Sequence, residues 1–179
     1  MSTEPGKPAQ SAPPEPGPVH HGGPRKLSLV VYSGAFSRVH YALVLASAAA
    51  AVGTPATVFF TMGAAHYLRK PCADGTPGWR SLPAAGQEPV TAAAASVASG
   101  HQAPSAGAVD DRYAERKAAT FEELLLACAA FGVTFMVCEM GLRVIGLEAS
   151  ALRTDVSVTQ GGIVSVLADA SEHGAMLFI

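Results

Sequence analysis

Apolar residues fall in short unbroken runs separated by longer helical patterns. Residues 27–32, 57–61 and 133–137 are rich in β-branched and aromatic side chains and are bounded by Gly, Pro or polar residues. Such runs predict short buried strands. Between them, residues 37–52 predict a first helix, with Ser37 as N-cap, Gly53 as C-terminal stop and Pro55 soon after. A short helix is expected over 64–70, ending before Pro71. Residues 118–131 read as a helix whose apolar face is Leu124, Leu125, Ala127, Cys128 and Phe131. Thr120 and Glu123 have capping-box spacing, so its regular part starts at Thr120. A helix over 139–147 follows the third strand. Residues 156–158 read as a short strand or extended turn, Gly161 and Gly162 open a buried helix over 163–172, and 175–179 read as a terminal buried strand.

Strands alternating with helices predict a mostly parallel sheet with helices on both faces, and right-handed crossovers make it flavodoxin-like and doubly wound. The first strand, mostly apolar, is expected at its centre.

Two regions depart from this pattern. Residues 1–25 are dominated by Pro, Gly, Ser and Glu and read as a disordered tail. Residues 26–179 then form one domain, interrupted by a Gly/Pro/Ala-rich insert over about 71–111 that is expected to be mobile or bound to a partner. Within it, 90–98 has the composition of a helix. Trp79, the only tryptophan, is expected either to tack the insert to the domain or, exposed, to anchor a neighbouring subunit.

Of 179 residues, 49% are hydrophobic and 15% charged, which supports a packed core. A net charge of -2 gives no footprint for nucleic acid. Residues 41–52 are apolar but shorter than the roughly 20 residues of a membrane span. A peripheral membrane role is not favoured, and no basic region followed by an apolar run marks a secretory signal. Cys72, Cys128 and Cys138 make neither a disulfide framework nor a zinc pattern, and an odd number of free thiols fits a reducing cytoplasm.

Most chemistries lack their motif. GxGxxG, GxxxxGK[ST], HExxH, HxH, GxSxG and CxxC are all missing, so no cofactor and no metal is expected. His20 and His21 lie in the tail without further ligands at useful spacing. Gly161 and Gly162 are expected to form a tight turn rather than an anion nest. Cys138 remains, placed where the third strand ends and a helix begins. Ligands of open α/β sheets bind at that carboxyl edge, and free N–H groups with a helix dipole there favour thiolate. Arg38, Arg69, Lys70 and Arg143 are candidate sources of positive potential, and Glu139 opposes them. His40 and His66 follow strand ends and are candidate partners of the thiol. The opposing reading is a small buried hydrophobe.

The segments 26–34, 57–63 and 68–70, the helix over 121–131, the run Val137, Cys138, Glu139, Met140 and Gly141, and the terminal Gly161–Gly162 helix and strand together resemble the DsrE/DsrF-like sulfur-relay proteins, most closely the small stand-alone branch labelled peroxiredoxin-like. The resemblance covers about 26–70 and 118–179. It implies a cytoplasmic homo-oligomer, a trimer or hexamer, in which Cys138 accepts sulfane sulfur as a persulfide from a donor protein and passes it to an acceptor thiol. The carboxyl-edge residues Ser33, Gly34, Met62, Gly63, Glu139, Met140 and Gly141 would line the binding site. Two alternatives stay open. One is a non-catalytic oligomeric module binding a small ligand or a partner near Ser33, Gly34, Met62 and Gly63. The other is a thiol redox sensor with Cys72 as resolving partner.

Overall fold

In a computed structural model, which describes residues 23–86, 103–170 and 173–179, the apolar runs become adjacent strands of one sheet. β1 (Leu27–Val31), β2 (Ala56–Phe60), β3 (Thr134–Cys138), β4 (Val158–Gly161) and β5 (Ala175–Phe178) are all parallel, in the order β4-β3-β2-β1-β5. The chain steps one way from β1 to β4, then returns to pair β5 with the free side of β1. This is the α/β, flavodoxin-like architecture. β1 is interior, and β2 holds the centre.

Strand alternation divides the side chains between two faces. Leu29, Val31, Val58, Phe60, Phe135 and Val137 enter the main core with α1 (Phe36–Ala51) and α3 (Phe121–Ala130). Val30, Phe59, Met136 and Cys138 point the other way, into a small second cluster closed by Val166. Val166 is the one buried residue of α5 (Ile163–Asp169).

The insert departs most from expectation. Trp79 is fully buried, with its ring centroid 5.6 Å from that of Phe36 and 4.8 Å from that of Phe121. Its Nε1 donates to Glu122 Oε1 at 2.7 Å. Glu122 also accepts from Arg153, which in turn holds Asp155. Trp79 therefore tacks the insert down and is no exposed anchor. Residues 106–111, expected as loop, open α2 (Ala106–Glu115), with Ser105 accepting from the Ala108 amide. Its buried positions carry Ala106, Gly107 and Asp110, so no apolar stripe marks the helix in the sequence. Asp110 Oδ1 accepts from the Phe121 amide and ties α2 to the start of α3. Residues 87–102 of the insert, including 90–98, lie outside the described residues, as do most of the tail, His20 and His21.

Other boundaries move for local reasons. Ala35, not Ser37, caps α1; the Phe36 amide is instead satisfied by the Ala84 carbonyl of the insert, at 2.9 Å. The short helix after β2 is 3₁₀ and begins earlier, at Met62–Leu68. The expected box at Thr120 is present: its hydroxyl accepts from the Glu123 amide, and Glu123 Oε2 accepts from the Thr120 amide at 2.8 Å. α4 spans Glu139–Val144, ending earlier than expected. β4 starts at Val158 and includes Gly161, so only Gly162 precedes α5. The last helix and strand were expected buried and are not. Ile163, Val164 and Leu167 of α5 are exposed, and β5 is an edge strand whose Phe178 is 72% exposed. Apolar runs mark them as buried, but their position at the thin side of the sheet leaves them open. Among the described residues, no helix is long and apolar enough to cross a membrane.

Candidate functional site

Three strand ends converge at the carboxyl edge. β3 delivers Cys138, which is both the last strand residue and the N-cap of α4. Its Sγ accepts a hydrogen bond from the Gly141 amide at 3.3 Å. That amide is one of the N–H groups a helix start leaves without an intrahelical partner. β2 delivers Thr61, Met62 and Gly63. A Cβ built on Gly141 would lie 2.7 Å from Thr61 Oγ1 and 2.9 Å from the Met62 amide nitrogen, so only glycine lets α4 approach β2 this closely. Met62 itself has φ 48, in the left-handed region that costs a branched or long side chain free energy. β1 delivers Ser33 and Gly34. A Cβ on Gly34 would stand 3.2 Å from the Gly63 backbone, and the Gly34 carbonyl accepts from Tyr67 Oη at 3.0 Å. Gly86 of the insert, at φ 81, packs on Gly34 and Ala35, where a Cβ would come within 2.6 Å.

Ser33, Gly34, Met62, Gly63, Gly141 and Cys138 thus share one edge. Glu139 and Met140 point outward from the first turn of α4. Cys138 is only 5% exposed. Its partner in register on β4 is Gly161. Among the described residues, the Gly141 amide is the hydrogen-bond donor to Sγ; Arg38, Arg69, Lys70 and Arg143 make no ion pair there.

The two histidines are placed differently. His40 is buried on the main-core face, with Nε2 bonded to the Ala119 carbonyl at 2.8 Å and its ring edge-on to Tyr113 at 4.9 Å. Its ring is thereby occupied on the face opposite the Cys138 cluster. His66 lies in the 3₁₀ helix that packs against α4, and its Nδ1 is buried without a hydrogen-bond partner among the described residues. Burial, with the Arg69 charge added, lowers its pKa, so the ring is neutral at pH 7.

The remaining thiols differ in kind. Cys128 is buried in the main core, donates to the Leu43 carbonyl, and is pushed up to about 11 by burial. Cys72 is exposed in a turn, and all three thiols are free. An open cleft of about 340 Å³ lies beside α4, lined by Glu139, Leu142, Arg143, Glu148 and Gln160, but Cys138 is not in its wall. Among the described residues, no group of His, Cys, Asp or Glu stands together as a metal site.

Sequence reasoning missed Thr61 beside Gly141, Gly161 as the register partner of Cys138, and the Thr57–Asp169 pair at the opposite end of the same sheet face. The alternation of β3 holds the signal: Cys138 shares parity with Met136, which places it on the thin face, under α5.

The family model of the DsrE/DsrF/DrsH-like family matches residues 24–178. No curated protein matches the chain.

Proposed function

Since the chain belongs to the DsrE/DsrF/DrsH-like family, for which a sulfur-relay role is the family-level expectation, we propose that it relays sulfane sulfur on Cys138. The observation that carries this reading is the Gly141 N–H aimed at Cys138 Sγ at a strand-to-helix edge. A donated N–H stabilises a sulfur anion more than a neutral thiol. The Cys138 thiolate attacks the outer sulfur of a donor persulfide. The new S–S bond forms as the donor S–S bond breaks, and the electron pair leaves with the donor thiolate. An acceptor thiolate then attacks the outer sulfur on Cys138 and regenerates the Cys138 thiolate. Neither step needs an external oxidant or reductant. Neutral His66, in the 3₁₀ helix that packs against α4, is the candidate base that takes the proton of the Cys138 thiol before the first attack.

The protein works in this reading as a homo-oligomer, supported by the uncharged, exposed β5 edge. Treatment with a persulfide donor followed by cold cyanolysis should release thiocyanate from the wild type and none from Cys138→Ser. Equal release from both would refute the assignment. The 5% exposure of Cys138 favours the second reading, a binding module with a buried thiol. A Cys138 that stays inert to small alkylating reagents in the folded protein would favour it.

A further inference from the structure

We propose that α5 is a hinged cover over Cys138, latched at its far end by Asp169. The inference stands on geometry and holds whether or not the thiol carries sulfur. Cys138 is buried in a cluster with Val30, Phe59, Met136 and Val166, and among the described residues only Val166 comes from outside the sheet. Gly161, the register partner of Cys138, shows how closely the helix lies: Ser165 Oγ is 3.0 Å, and Met136 Cε 3.3 Å, from the position of a Cβ on Gly161. The first turns of α5 are therefore what separates this face of the thiol from water.

The cover is held by little. A seven-residue helix is not stable on its own, so tertiary contacts decide whether it stays folded down. α5 buries one residue, while Ile163, Val164 and Leu167 are 52%, 75% and 59% exposed. Its N-cap is Gly162, with no side-chain cap and with nothing within 4 Å of a built Cβ, so the joint to β4 is unconstrained. The opposite end is fixed by a carboxylate. Asp169 Oδ2 accepts from Thr57 Oγ1 at 2.6 Å, and Oδ1 pairs with Lys26 Nζ at 2.7 Å. Thr57 is 1% exposed on the floor of the thin face, so its hydroxyl depends on that acceptor. With the latch released, Val166 is the one buried side chain of α5 left to hold it among the described residues, and its departure uncovers Cys138. A segment with one buried apolar contact belongs to the low-stability end of local opening.

Site-resolved alkylation tests this in the full chain. Pulses of iodoacetamide are followed by peptide mass spectrometry, which reads Cys138 and Cys128 separately. Asp169→Ala and the near-isosteric Thr57→Val should each speed Cys138 labelling by roughly tenfold, the scale of losing a charge-assisted hydrogen bond. Cys128, in the main core, should keep its wild-type rate. Gly162→Ala, which has room for the methyl and stiffens the joint, should slow Cys138 labelling. An unchanged Cys138 rate in both latch variants would overturn the proposal. So would Cys138 and Cys128 accelerating together, because that is global rather than local opening.

Discussion

The amide of Gly141 donates to Cys138 Sγ at 3.3 Å, and the same glycine has no room for a methyl against Thr61 and Met62. One residue thus both supplies the donor and permits the approach that aims it. Gly141→Ala must push the first turn of α4 off the end of β2, because the Met62 backbone amide is a fixed obstacle. We expect this overpacking to cost about 1–3 kcal/mol in urea unfolding and to slow sulfur loading of Cys138. A variant that loads and unfolds like the wild type would show the turn to be free to shift.

The Asp169 latch makes stability depend on pH. Burial of Asp169 favours its neutral form, but hydrogen bonds from Lys26 and Thr57 and the Lys26 charge outweigh it and hold its pKa below the ordinary carboxylate value. A lowered folded pKa contributes stability that is present above the unfolded value and is lost as pH falls through the folded one. The melting-temperature gap between wild type and Asp169→Ala should therefore be widest near pH 6 and close as pH drops below about 4. Asp110 shifts the opposite way, raised by burial, but it is common to both proteins and cancels in the difference. A gap that is constant with pH would contradict the latch.

The β5 edge is open and apolar. The bonds of β5 to β1 use the amides of Ala175 and Ile179, which leaves those of Met176 and Phe178 facing outward, with no partner strand among the described residues. Neither a charge nor a proline blunts the strand, the usual protection of a free edge. Phe178 also stacks on Tyr32, 5.8 Å between centroids, and remains 72% exposed. Light scattering should show an oligomer for the wild type, and Phe178→Asp should lower its mass toward that of one chain. A wild type that runs as a monomer at micromolar concentration would remove the homo-oligomer from the account.

The sequence carried those parts of the fold that are written as local pattern. The runs that became β1, β2 and β3 are apolar and β-branched, Thr120 and Glu123 announced the start of α3, and the position of Cys138 followed from the end of one run and the start of the next. What escaped was set by contacts distant in sequence. α2 was invisible because its buried face is Ala106, Gly107 and Asp110. That Trp79 tacks the insert down was legible as one of two readings, but not its partners, since Phe36, Phe121 and Glu122 come from two helices. The start of α1 moved because the insert provides the carbonyl that satisfies Phe36. The exposure of α5 and β5 depends on which face of the sheet is thin, and composition does not encode that. At the site, the edge formed by Ser33, Gly34, Met62, Gly63, Gly141 and Cys138 was legible as strand ends. The cover over the thiol was not, since Asp169 and Thr57 are 112 residues apart.

The central claim is that Cys138 accepts sulfur. Intact-protein mass spectrometry after incubation with a persulfide donor, with Cys138→Ser treated in parallel, tests it most directly. The account predicts a gain of one or more sulfur atoms in the wild type, reversed by a thiol reductant, and no gain in the variant. A wild type that is confirmed reduced and gains no sulfur, or a Cys138→Ser that gains as much, would contradict it.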